Sequence, residues 1–177
     1  ESRTFNVIAD IPGTDPALRD QVVLVGAHLD SWHTASGATD NGDGALAVIE
    51  AARLLAALDA QPRRTIRFAL WSGEEQGLLG ARAYIEEPLA DEASQDNLSV
   101  YLNDDPGSGR SLGWYMQENT AAKRIFDAWL EPLSDLGITR NVVEGIGSTD
   151  HVPFDQMGLA AFNAIKDFDG YDERTRH

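Results

Sequence analysis

The stretch Val22-Val23-Leu24-Val25-Gly26-Ala27-His28-Leu29-Asp30 decides how this chain is read. Its apolar residues run without alternation from Val22 to Val25 and close on Gly26-Ala27, a pattern that suits an inner strand buried on both faces. The strand then delivers a histidine and an acid, two residues apart, at its carboxyl end. Working outward, Thr65 to Trp71 is β-branched and aromatic and reads as a second inner strand, with Leu98 to Leu102 a third. Thr4 to Ile11 reads as a strand followed by a turn at Pro12-Gly13-Thr14-Asp15-Pro16. Gly42 to Leu58, rich in Ala and Leu, reads as a helix, and so does Gln76 to Ile85, with Pro88 marking its end. Asn119 to Leu136 is the clearest amphipathic helix. Ile125, Trp129, Leu133 and Leu136 fall at helical spacing, and Gly137 stands where a C′ glycine belongs. Ile138 to Val143 and Ala160 to Ile165 read as further strands. Strands alternating with helices predict an α/β domain with a largely parallel inner sheet covered on both faces.

A chain of 177 residues suits one domain with a sizeable core. Lys plus Arg number 14 against 29 Asp plus Glu, a formal net charge of −15. That balance argues against a nucleic-acid or anionic-membrane partner, because no basic patch is available to neutralise phosphates. There is no cysteine, so any metal must be held by histidine and carboxylates. No stretch approaches the roughly 18 apolar residues of a membrane span. Glu1 opens directly into strand-like sequence without a signal-peptide pattern, and the sequence stops at Arg176-His177. Residues 1–177 are expected to form a single catalytic domain, cut at both ends from a longer precursor.

The chemistry lies in where the acids and histidines fall. The Thr65–Trp71 strand ends in Ser72-Gly73-Glu74-Glu75, and the Leu98–Leu102 strand in Asn103-Asp104-Asp105. Three inner strands thus each carry ligand-type side chains to the sheet edge where ligands bind in open α/β folds. Asp40 lies just before the Ala-rich helix. Taken singly, each has an ordinary explanation. His28 and Asp30 fit a loop, and Asp40 fits a helix N-cap. Glu74-Glu75 fit first-turn acids favoured by a helix dipole, and Asp104-Asp105 before Pro106-Gly107 fit a turn. Together at one edge they are hard to obtain from independent turn preferences. Asp30 can orient the His28 imidazole. Two adjacent glutamates also allow a division of labour, in which one binds a metal and the other takes a proton from an activated water.

Several stretches then carry a resemblance. They are Val25 through Trp32, Gly37-Ala38-Thr39-Asp40-Asn41-Gly42, Trp71 through Gly80, Tyr101-Leu102-Asn103-Asp104-Asp105, Gly147-Ser148-Thr149-Asp150-His151, and Tyr171 through His177. From about Phe5 onward the chain resembles the M28 family of zinc peptidases, nearest to its plasma glutamate carboxypeptidase (carboxypeptidase Q)-like branch. The resemblance implies a three-layer α/β/α sandwich with a mixed, largely parallel central sheet, of the zinc-exopeptidase (phosphorylase/hydrolase-like) type. It implies two Zn2+ ions, with Asp40 bridging both, His28 and Asp105 completing one, and Glu75 and His177 the other. Asp105 is chosen over Asp104 because the family motif puts its ligand two residues after Asn103. Glu74 becomes the general base and Asp30 the partner of His28. Asp150 and His151 become pocket or supporting residues, and His33 has no role. The Asp40–Asn41 peptide is expected to be cis. The activity implied is hydrolysis of a terminal peptide bond of short peptides, of aminopeptidase, dipeptidase or carboxypeptidase type, in an extracellular or periplasmic setting. Two alternatives stand beside it: a single-zinc acyltransferase resembling glutaminyl cyclases, and a non-catalytic acidic binding domain of the same fold. The Asp/Gly loops do not fit the EF-hand spacing of a calcium site.

Overall fold

The computed structural model describes residues 4–172. At its centre is a seven-stranded sheet with strand order β1-β3-β2-β4-β7-β5-β6. The strands are β1 (Val7–Ile11), β2 (Val22–His28), β3 (Thr65–Trp71), β4 (Leu98–Asn103), β5 (Ser111–Tyr115), β6 (Arg140–Val142) and β7 (Ala161–Lys166). Strands β3, β2, β4 and β7 are mutually parallel. Strand β1 adds antiparallel to β3 at one edge, and β5 pairs antiparallel with β7 at the other, carrying β6 parallel to itself. The sheet is mixed with a parallel centre, as the sequence predicts.

Side-chain parity on the inner strands sorts the core into two faces. Leu24, Ala69, Trp71, Tyr101 and Ala161 point to one face. There they pack with Ala81, Tyr84 and Ile85 of α2 (Leu79–Glu86) and Phe154 of α5 (Val152–Gln156). The alternate residues Val25, Ile66, Phe68 and Leu70 meet α1 (Gly42–Ala57) through Val48, Ala51, Ala52 and Leu55. Val100, Leu102 and Phe162, on that same second face, meet Phe126 of α4 (Thr120–Leu130). A short α3 (Glu92–Asp96) leads into β4. Helices thus cover both sheet faces, making three layers. Trp71, Tyr101, Phe154 and Leu24 are fully buried. Each such apolar side chain contributes about 1.5–3 kcal/mol relative to an exposed one.

Three local expectations differ from what is observed. The helix expected over Asn119–Leu136 is α-helical only to Leu130 and continues as a 3-10 turn over Glu131–Leu136. Pro132, at the start of that turn, lacks the N–H that an α-helical bond requires. Gly137 still ends the element in the left-handed region, at φ 78°. The helix expected from Gln76 begins at Leu79, because residues 73–78 form a turn in which Gly73, Gly77 and Leu78 all have positive φ. Strand β5 has no counterpart in the sequence reading. Its Gly113 lies against Arg140 of β6, where a β-carbon would collide with the Arg140 backbone.

Candidate metal centre

The carboxyl ends of β2, β3 and β4 lie side by side. Parallel register sets His28 opposite Trp71 and Gly26 opposite Asn103. The loops that leave these strands therefore meet at one edge. His28 closes β2 and is fully buried. Its Nδ1 donates to the Asp30 carbonyl at 3.0 Å, which fixes the ring and turns Nε2 inward. Nε2 makes no hydrogen bond and lies 3.0 Å from Asp40 Oδ1, 3.8 Å from Asp105 Oδ1 and 3.9 Å from Glu74 Oε2. His28, Asp40 and Asp105 each offer a ligand atom, all within 4.8 Å of one another. Zinc takes imidazole nitrogen and carboxylate oxygen donors, and a buried imidazole nitrogen facing two buried carboxylates fits such an ion.

Asp40 reaches this point through the loop before α1. Its peptide to Asn41 is cis, as the resemblance implies. Asn41, not Asp40, caps α1: its Oδ1 accepts from Gly44 N at 3.0 Å. The Asp40 carboxylate is thereby left for the site, where Oδ2 accepts from the Tyr171 phenol at 2.5 Å. Tyr171 is buried, and the sequence reading gave it a place in a motif but no role. Of the two acids after β4, Asp105 faces His28, whereas Asp104 turns to Lys166.

Glu74 and Glu75 stand in the turn before α2, so the first-turn explanation for them does not hold. The turn is held by Asp30, whose Oδ1 accepts from Glu74 N at 3.0 Å and Oδ2 from Glu75 N at 3.2 Å. Asp30 does lie beside His28, its Oδ1 3.6 Å from Nδ1. Its two hydrogen-bonded contacts, however, are to the glutamate turn. Both glutamates line a pocket of about 270 Å³ with Asp40, Asp105 and Tyr171, walled by Pro106 and Ile146. Glu75 is not within the three-ligand group among the described residues. His177 lies outside the described residues. His33 is exposed on a loop away from the pocket.

The electrostatics follow from burying acids together. Burial disfavours a charged imidazole at His28, but the carboxylates of Asp105, Asp30 and Asp40 outweigh it and hold the ring's pKa well above its ordinary value. The negative charge that favours a proton there also favours a divalent cation, which competes with that proton for Nε2. Glu74 is pushed up to about 8, first by burial and then by Asp105, Asp150 and Glu75, against the pull of His28. A carboxyl poised near neutrality suits proton transfer. Asp150 is likewise pushed up to about 8 by burial, with Asp105 and Asp30 adding to it. Beneath the ligands runs a buried polar chain. Trp71 Nε1 donates to Tyr101 Oη at 2.6 Å, Tyr101 donates to Asn103 Oδ1, and Asn103 Nδ2 donates to Asn163 Oδ1 at 2.8 Å. Asn163 in turn donates to the Asp105 carbonyl. The sequence does not single out these four as site residues, because apart from the Tyr101–Asn103 bond within β4 the chain is closed by partners on other elements.

The family model for Peptidase family M28 matches residues 6–177. Leupeptin-inactivating enzyme 1 of Streptomyces exfoliatus is 34% identical over 157 residues, which is 88% of this chain and 34% of that protein. Carboxypeptidase Q of Homo sapiens is 33% identical over 171 residues, 97% of this chain and 35% of that protein. This chain therefore spans about a third of the length of these curated relatives. Among solved structures, a zinc aminopeptidase from Bacillus subtilis superposes with a TM-score of 0.74 at 26% identity, covering 95% of this chain and 41% of that one. By sequence over nearly its whole length, and by a fold that gathers the expected histidine and acids at one sheet edge, this chain belongs to peptidase family M28.

Proposed function

We propose that this chain is the catalytic core of a dinuclear zinc exopeptidase that hydrolyses a terminal peptide bond of short peptides. The observation that carries the proposal is the buried set of His28, Asp40 and Asp105, with ligand atoms within 4.8 Å of one another, of which Asp40 and Asp105 line a pocket together with Glu74 and Glu75. In this reading His28, Asp40 and Asp105 would hold one ion, and Asp40, Glu75 and His177 the other. Zinc, when bound, polarises the scissile carbonyl and acidifies water. Glu74 takes the proton of the attacking water and returns it to the leaving amine, a role supported by its place in the pocket wall beside Asp40 and Asp105. Asp30 holds the Glu74–Glu75 turn through two backbone N–H groups and so keeps base and ligand in fixed relation. Tyr171 orients the Asp40 carboxylate. No described helix is long and apolar enough to cross a membrane. An extracellular or periplasmic setting belongs to the same proposal, on likeness to the family alone.

Elemental analysis of metal per chain in the wild type and in Asp40→Ala tests the reading. About two zinc ions per chain, falling sharply in the variant, is the expected result. About one ion per chain favours the single-zinc, cyclase-like alternative. No metal in either protein after zinc is supplied sinks the enzymatic reading in favour of an acidic binding domain.

A further inference from the structure

Lys166 ends β7 at the same sheet edge as His28 and Asn103, yet it does not line the pocket. It is the one buried lysine or arginine among the described residues. Its ammonium donates to Asp43 Oδ2 at 2.8 Å and lies 2.9 Å from Asp104 Oδ1. Asp43 is in the first turn of α1, three residues after Asp40, and Asp104 immediately precedes Asp105. Lys166 therefore joins, from behind, the two segments that carry the acidic members of the three-ligand group. Asn41 ties the same segments a second time, its Nδ2 donating to the Asp104 carbonyl at 2.9 Å. The junction is closely packed. A β-carbon on Gly44 would collide with the Asp104 carbonyl oxygen, and one on Gly107 would meet Lys166 Cβ at 2.6 Å.

A buried ammonium is costly to desolvate, and such ion pairs are weak sources of net stability; their better-attested use is to fix geometry. Geometry is what this site demands. Asp40 and Asp105 repel each other, and both must be held close to His28 Nε2 before any cation arrives. We propose that Lys166 is a positioning residue for the metal centre, clamping the Asp40 and Asp105 segments at ligand separation through Asp43 and Asp104. Its role rests on the reading of His28, Asp40 and Asp105 as metal ligands.

For loss of Lys166, positioning and plain electrostatics predict opposite signs. A fixed positive charge near a cation site repels the cation, so loss of that charge alone tightens zinc binding. Loss of a positioning residue weakens it, typically by about tenfold or more. The experiment measures zinc affinity of the 177-residue chain by competition with a chromophoric chelator. It compares wild type, Lys166→Met, Lys166→Arg and Asp43→Asn, with thermal unfolding of each chelator-treated protein alongside. The expected result is zinc binding about tenfold weaker in Lys166→Met, with a smaller loss in the same direction in Asp43→Asn and partial recovery in Lys166→Arg. Asp43 is 41% exposed, so its direct attraction for the cation is screened at about 1 M salt. A loss of affinity in Asp43→Asn that persists there keeps the test decisive should Lys166→Met fail to fold. Zinc affinity equal to wild type or tighter in Lys166→Met, or in Asp43→Asn at about 1 M salt, overturns the positioning role whatever the melting temperatures, while leaving the ligand reading intact. A wild type that binds no zinc overturns both.

Discussion

Replacing Asp30 tests how the glutamate turn is held. Its carboxylate accepts from two backbone N–H groups, Glu74 N at 3.0 Å and Glu75 N at 3.2 Å. Hydrogen bonds to a charged group contribute about 1.5–3 kcal/mol each, with the lower end apt here because water reaches part of the turn. Asp30→Ala removes both acceptors and is expected to cost about 3 kcal/mol. Asp30→Asn keeps one carbonyl oxygen but turns amide hydrogens toward the second N–H, for about half that loss. In a chain of this size about 1 kcal/mol moves Tm by roughly 2–4 °C. Asp30→Ala should therefore melt about 6–12 °C below wild type and Asp30→Asn about 3–6 °C below. The assay is thermal unfolding followed by circular dichroism in excess chelator, so that metal linkage does not enter. Burial works against a charged Asp30, but His28 and the two N–H groups hold its pKa below the ordinary carboxylate value. The contribution is therefore complete above about pH 4 and is lost as pH falls through the folded-state value. A melting temperature for Asp30→Ala within about 2 °C of wild type at neutral pH would refute the reasoning, since the turn would then be held by something other than this carboxylate.

Glu74→Gln keeps the shape of the base and removes its proton affinity. Peptide hydrolysis should fall by about 10²–10⁴-fold while bound zinc stays at the wild-type level, and a parallel loss of zinc would make Glu74 a ligand instead. His151 is fully buried, and burial pulls its pKa down to about 4. The unfolded chain therefore binds the proton first, and the His151 contribution to stability is complete above about pH 6.5 and falls by about 3 kcal/mol as pH drops to about 4. Glu74 and Asp150, both raised, tilt the curve the other way, so the test is a difference: in urea unfolding wild type should lose about 3 kcal/mol relative to His151→Gln between about pH 6.5 and about pH 4. Equal slopes would remove His151 as the cause.

The inner strands are legible in the sequence because a strand buried on both faces is written as a contiguous apolar run. Val22–Val25 carries that mark with no need of its neighbours. The ligand-type residues are legible for a related reason: parallel strands bring their carboxyl ends to one edge, so His28, Glu74 and Asp105 can be matched by their places at strand ends. Strand β5 is not legible. Ser111-Leu112-Gly113-Trp114-Tyr115 has a glycine where a strand prefers a side chain, and only the close approach of Arg140 explains it. Helix α4 gives way to a 3-10 turn at Glu131 although its apolar spacing continues, because the spacing reports which face is buried and not which hydrogen bonds Pro132 permits.

What the sequence by itself determines here is the layered α/β class, the acidic net charge, and the residue types fit to bind a metal. Tertiary structure decides what each acid touches. Asp30 supports a turn 44 residues away, and Lys166 joins itself to Asp43 across 123 residues. Asp104 and Asp105, adjacent in the chain, face opposite partners. A carboxylate's role is set by the donors and charges within a few ångströms of it, and in this fold those come from other strands, which local sequence pattern does not encode.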